Sequence, residues 1–115
     1  MKKTEMLKKN YEFRKVLSKG KYYSGKYIEI FALKNNSYKN KLGIAISVKL
    51  GKAVKRNKVK RLIRESYRLI EEKLEIGYSI VFLWKKKMDI KEATFSNVNK
   101  DINNIFEKMG IIKKW

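Results

Sequence analysis

The sequence contains no cysteine, no histidine and no proline, and its 115 residues carry only 11 acidic side chains against 30 lysines and arginines. Without cysteine there are neither disulfides nor thiolate metal sites, and the redox compartment leaves no mark. Without histidine the commonest general base and the commonest metal ligand are gone, and with them every Ser-His or Cys-His nucleophile system. A protein nuclease needs a pair of general acid–base groups or carboxylates that hold metal ions. The only aspartates are Asp89 and Asp101, and the glutamates cluster only at Glu71, Glu72 and Glu75. Glu71 and Glu75 share one face if a helix runs through them and form the one weak metal candidate, so no catalytic and no metal-binding residue is expected. Long apolar runs are missing too. The longest, Ile80–Trp84, falls far short of the ~20 residues a bilayer-spanning helix needs. The start, Met1 to Lys9, is basic without an apolar stretch and does not read as a secretory signal. A cytoplasmic protein forming one domain over residues 1–115 is the expectation.

What the sequence has in excess is positive charge, a formal net of +19. Solubility asks for a net charge of only about 2–8 in a small domain, so the excess points to a polyanion. Residues 1–68 hold 21 basic and 4 acidic side chains, whereas residues 69–115 hold 9 and 7. The first part meets the polyanion, and the second mostly completes a core for which 43% hydrophobic residues suffice.

Hydrophobic spacing predicts the order helix, strand, strand, helix, strand, helix. Asn10 is placed to cap a helix over Tyr11 to Lys19 that stops at Gly20 and turns Phe13, Val16 and Leu17 to one side. Tyr27–Leu33 and Leu42–Ser47 read as strands joined by the polar turn 35–40, antiparallel if the link is a hairpin. In the second strand Leu42, Ile44 and Ile46 alternate with Gly43, Ala45 and Ser47, leaving one face small enough for a large ligand to approach. A long helix follows from about Arg56 to Leu74, with Gly77 as its stop. Tyr78–Trp84 reads as a well-covered strand closed by Lys85, Lys86 and Lys87. Thr94 caps a last helix to about Met109, ended by Gly110, with Val98, Ile102, Ile105, Phe106 and Met109 facing inward. The fold class is α+β, a two-layer sandwich of one mixed sheet with helices against it.

The long helix carries the chemistry. Val59, Leu62, Ile63, Ser66, Tyr67, Ile70 and Leu74 fall on one face at about 100° per residue. Asn57, Arg61, Arg64 and Arg68 fall on the other. Nine basic residues between Lys49 and Arg68 face one acid, Glu65. A structural helix mixes acids into its exposed face for i,i+4 pairs; this one does not. Guanidinium forks match pairs of phosphate oxygens, Asn57 adds a donor and an acceptor, and the helix N-terminus itself favours anions. The acids that follow, Glu71, Glu72 and Glu75, oppose the helix dipole and are read as holding that end away from nucleic acid.

The string Arg56-Asn57-Lys58-Val59-Lys60-Arg61, within Gly51–Glu65, resembles the signature of the bacterial ribonuclease P protein component. That family writes Arg-Asn-Arg, a hydrophobic residue and Lys-Arg; here Lys58 replaces the third residue, keeping charge but losing the fork. The resemblance runs from Leu7-Lys8-Lys9-Asn10 to Ile105-Phe106. It implies an α/β sandwich with a left-handed βαβ crossover around the signature helix. It also implies a subunit of an endoribonuclease that removes the 5′ leader of precursor tRNA, with catalysis and magnesium belonging mainly to the RNA subunit. The implied partners are ribonuclease P RNA and precursor tRNA, with neither a membrane nor a protein partner required. The positions implied to bind the RNA subunit are Lys52, Lys55, Arg56, Asn57, Lys58, Lys60, Arg61, Arg64 and Arg68. Those implied to hold the leader, between the first helix and the sheet, are Phe13, Leu17, Phe31, Ser47 and Lys49. Leu17 stands where many members have Phe, and Val48 where many have Lys. Composition by itself leaves Phe13 and Phe31 as core residues, and it also fits a structural ribosomal-type RNA-binding protein or a basic DNA-compacting protein.

Overall fold

The structure, a computed structural model, describes residues 3–113; Met1 and Lys2 of the basic start and the last two residues of the expected domain lie outside them. One five-stranded mixed sheet organises the chain, with β1 (Thr4–Met6), β2 (Lys21–Ser24), β3 (Ile28–Lys34), β4 (Asn40–Ala45) and β5 (Tyr78–Trp84) in the spatial order β1-β4-β5-β3-β2. Three helices, α1 (Asn10–Lys19), α2 (Ala53–Ile70) and α3 (Phe95–Met109), lie against it. The α+β class and the mixed sheet are as expected. β1 and β2 were not expected. β1 is three residues long and exists only by parallel pairing with β4, and β2, Lys-Tyr-Tyr-Ser, is a half-exposed edge strand. Neither carries the apolar alternation that marks a strand in sequence.

The expected hairpin between the first two long strands does not form. β5 is inserted between them, antiparallel to β3 and parallel to β4. The physical reason lies in β5 itself: Ser79, Ile80, Val81, Phe82 and Trp84 are buried, and a strand apolar on both faces belongs in the centre with a neighbour on each side. The chain from β4 to β5 is therefore a parallel crossover through α2.

Alternation along the strands divides the sheet into two faces. Ile28, Ile30, Leu42, Ile80, Phe82 and Trp84 point to the face covered by α2 and α3, where they meet Val59, Ile63, Tyr67, Val98, Ile102 and Phe106. The rings of Tyr67, Phe82 and Phe106 pack edge to face with centroids 6.0–6.3 Å apart, a favoured aromatic geometry. Phe31, Val81 and Leu83 point to the opposite face, where α1 brings Val16 and Phe13 and the residue after β1 brings Leu7.

Two buried polar clusters pin the layers. The Asp101 carboxylate on α3 accepts the backbone N–H groups of Lys26, Tyr27 and Ile28 at 2.7, 2.9 and 2.8 Å, and Gly25 lies so close that a Cβ there would sit 2.4 Å from a carboxylate oxygen. The Tyr67 hydroxyl on α2 meets Thr4 Oγ1 at 2.7 Å and Asn40 Nδ2 at 3.3 Å. Asn40 Oδ1 in turn accepts the Tyr78 N–H at 2.9 Å, so β1, β4, α2 and β5 share one network. Burial pushes the Tyr67 hydroxyl above its ordinary pKa, against the bonds from Thr4 and Asn40.

The helix ends differ from expectation in detail. Asn10 is the first residue of α1 and not its cap; Lys9 caps it, and its backbone N–H is taken by the Glu12 carboxylate at 3.3 Å. Burial pushes the Glu12 carboxyl up, but the Lys9 amide and the Lys41 ammonium outweigh it and leave it below the ordinary value. α2 starts at Ala53 and ends at Ile70, followed by a 3-10 turn over Glu71–Lys73. Leu74 still reaches the core, while Gly77 sits further on, at φ 94° in the turn before β5. At α3, Thr94 Oγ1 accepts the Asn97 N–H at 3.1 Å and Gly110 closes the helix at φ 69°, both as expected.

Candidate nucleic-acid interface

α2 is amphipathic as its spacing requires. Val59, Leu62, Ile63, Ser66, Tyr67 and Ile70 are buried, and Asn57, Arg61, Arg64 and Arg68 form an exposed row on the opposite side. Lys52, Lys55 and Lys58 are exposed as well, and Lys60 is half-buried on the flank. Arg56 stands apart. Its Nε donates to the Gly51 carbonyl at 3.1 Å, so it braces the connection into α2, where Gly51 adopts φ 153°. The one acid within α2, Glu65, lies 3.7 Å from Arg61 with both side chains about half exposed, a pairing worth little. The row is a rigid array of guanidinium and amide donors anchored by the core on its other side.

Of the three acids read as a shield beyond α2, Glu72 stands exposed. Glu71 is buried and Glu75 exposed, and the 3-10 turn removes the helical i,i+4 relation between them. Among the described residues no group of three or more Asp or Glu side chains gathers to hold a metal ion.

On the other face α1 covers only part of the sheet. Gly43 admits the Phe13 ring and Leu7, since a Cβ there would meet Phe13 Cε1 at 2.7 Å and Leu7 Cδ1 at 2.9 Å. The strand backbone at Gly43 is thus covered by this protein's own side chains and not bare. Next to it, one register step along, Ala45, Leu83, Glu29 and Ser24 form an uncovered row. A groove of about 370 Å³ opens there, lined by Tyr22, Glu29, Ala45, Ser47, Leu83, Trp84 and Lys85–Lys87.

The groove is firmly built. The Tyr22 ring leans on Phe31, centroids 5.1 Å apart, and its hydroxyl donates to the Glu29 carboxylate, which raises the Tyr22 pKa. Trp84 stacks on Tyr27 at 5.5 Å, and its indole N–H donates to the Met88 carbonyl at 2.9 Å. Together with the Met88 N–H on the Lys85 carbonyl at 3.1 Å, this folds Lys85–Met88 into a turn that holds three ammonium groups at the rim.

Of the five positions expected around a leader, only Ser47 lines this groove. Phe31 backs it through Tyr22, and Phe13 lies beside Phe31 in the smaller core. Leu17 borders instead a shallow depression with Tyr11 and Arg14 on α1. Lys49 is exposed on the turn capped by the Ser47 hydroxyl at 3.3 Å. Ala45, which with Ser47 belongs to the small face expected to admit a ligand, does line the groove; Tyr22, Glu29 and Leu83 were missed because only strand pairing brings them together. The lysine run 85–87 was visible in sequence as the end of a strand, but not as a groove rim.

The arrangement offers an exposed cationic helix and, joined to it by residues 48–52, a groove with aromatic and apolar walls and a cationic rim. Comparison with known proteins gives the same direction. Residues 1–110 match the family model described as Ribonuclease P. The chain is 46% identical over 110 residues to the ribonuclease P protein component of Clostridioides difficile, covering 95% of each. It is 37% identical over 112 residues to that of Alkaliphilus metalliredigens, covering 97% of this chain and 99% of that one. The solved RNase P protein from Thermotoga maritima superposes with a TM-score of 0.81 at 29% identity, covering 90% of this chain and 96% of that one. The Staphylococcus aureus RNase P protein shares the fold, with a TM-score of 0.78 at 23% identity over 94% and 97%.

Proposed function

This chain belongs to the ribonuclease P protein family, and we propose that it binds ribonuclease P RNA through α2 and the 5′ leader of precursor tRNA through the groove beside α1. The observation that carries this reading is the exposed row Asn57, Arg61, Arg64 and Arg68 on a helix whose opposite side is buried. Rigid guanidinium forks at a regular rise suit the phosphates of a folded RNA. The remaining cations, Lys52, Lys55, Lys58 and Lys60, widen that surface, and Arg56 shapes its start.

Single-stranded leader is served differently. Bases expose π faces, and stacking on aromatics is worth ~1–3 kcal/mol per base. Tyr22 supplies the face, steadied from behind by Phe31, and Lys85–Lys87 supply charge for the phosphates. Hydrolysis of the phosphodiester rests with the RNA, which also holds most of the magnesium. The protein's own side chains bind, orient and screen charge. A structural ribosomal-type RNA-binding protein would bind RNA without promoting cleavage.

Reconstitution tests this. Mixed with ribonuclease P RNA at moderate salt, the chain should restore cleavage of precursor tRNA. The double variant Arg61→Ala/Arg64→Ala should bind the RNA more weakly and lower the steepness of log K against log salt by about 1–2, since each lost phosphate contact removes roughly one released counterion. No cleavage with a cognate RNA, or an unchanged slope, would reject the reading.

A further inference from the structure

Charge is ordered across the groove in a way that nonspecific stacking does not require. Four acids lie among residues 1–68, and three of them face a cation: Glu5 with Lys39 at 3.3 Å, Glu12 with Lys41 at 3.5 Å, and Glu65 with Arg61 at 3.7 Å. Glu29 is different. It stands in the uncovered row between Leu83 and Ser24, and its hydrogen-bond partner is the neutral Tyr22 hydroxyl.

A carboxylate on the floor of a groove rimmed by Lys85–Lys87 repels phosphate and accepts hydrogen bonds without donating any. The sugar–phosphate backbone is therefore driven to the lysine rim and a base to the floor. Among the four bases only guanine presents two adjacent N–H donors, N1–H and N2–H, on its pairing edge. They match two carboxylate oxygens as a fork, while uracil offers a single N–H there and adenine or cytosine only an exocyclic amine. The Tyr22 hydroxyl uses one lone pair of the carboxylate and fixes its plane, and the Tyr22 ring, itself steadied by Phe31, offers a face beside that edge.

We infer that Glu29, held by Tyr22, is a specificity-determining residue that reads a guanine at one position of the bound 5′ leader. This deepens the function proposed above and rests on leader occupancy of the groove.

The test uses the reconstituted holoenzyme. Precursor tRNAs carrying each of the four bases at successive leader positions compete for cleavage, and binding of leader-bearing and leaderless tRNA is measured in parallel. Guanine should be favoured about tenfold at a single position, the scale of one bidentate base contact. In Glu29→Gln, whose amide N–H₂ faces the guanine donors, the ratio of guanine to the other three bases should fall to about twofold or less. Three results overturn the inference: a flat base profile, a guanine preference that survives Glu29→Gln, or an equal loss for all four bases that added magnesium repairs, which would make Glu29 the seat of a bridging cation. Phe31→Ala separates the two levels. If it leaves the preference of the holoenzyme for leader-bearing over leaderless tRNA unchanged, the groove is not the leader site and both readings fall. If that preference drops while the base profile is flat, only the role of Glu29 falls.

Discussion

The two faces of the sheet are built to different standards. Under α2 and α3 the strands meet a continuous buried core that includes Phe82, Tyr67 and Phe106 at zero exposure. Under α1 the buried set is Leu7, Val16 and Val81, with Phe13, Phe31 and Leu83 only partly covered. Close packing of the first face supplies stability through area removed from water. The second face keeps apolar and aromatic surface accessible, which is what a groove for an unpaired strand requires. The open groove and the structural core thus occupy opposite sides of the same strands, separated by a single pleat.

Substitutions on the two faces should separate these roles. Phe82→Ala removes a fully buried ring and should destabilise the fold by about 3–5 kcal/mol, measured by chemical denaturation. Asp101→Ala leaves three backbone N–H groups without their acceptor and should cost about 3 kcal/mol, with Asp101→Asn intermediate. Phe31→Ala, at a half-covered position, should cost about 1–2 kcal/mol yet weaken binding of leader-bearing tRNA more than of mature tRNA. If Phe31→Ala destabilised as much as Phe82→Ala, the contrast between the faces would be lost. The smallest effect concerns pH. The Tyr67 hydroxyl is held above its ordinary pKa of 10.0 by burial, so the folded state keeps that proton when the unfolded chain has begun to lose it. The resulting stability is complete below about pH 10 and declines as pH rises through the higher folded value. Denaturation midpoints followed above pH 10 should fall more steeply in the wild type than in Tyr67→Phe.

Sequence made one of these faces far more legible than the other. The inward stripe of α2, the capping of α3 by Thr94 and the central strand 78–84 follow from periodicity and local hydrogen bonding, and all three stand where expected. The basic row needed no structure either, because a helix with one apolar side leaves its arginines no other place. Strand neighbours were another matter. That β5 would part β3 from β4 depends on burial of both its faces against distant segments, and β1 and β2 are too short to signal themselves. The groove is a product of that pairing. Glu29 and Leu83 face each other across two strands 54 positions apart, and no local pattern joins them. The expectation that small residues at Gly43 leave the backbone open overlooked Phe13, whose ring fills the space that glycine vacates.

The passage from Ser47 to α2 takes only residues 48–52, stiffened by the 3-10 turn and by the Arg56–Gly51 bond. So short a bridge ties the arginine row and the groove to one relative orientation. On the function proposed above, whatever grips the arginine row would also fix the heading of a strand in the groove, a jig whose setting is independent of how long that strand is.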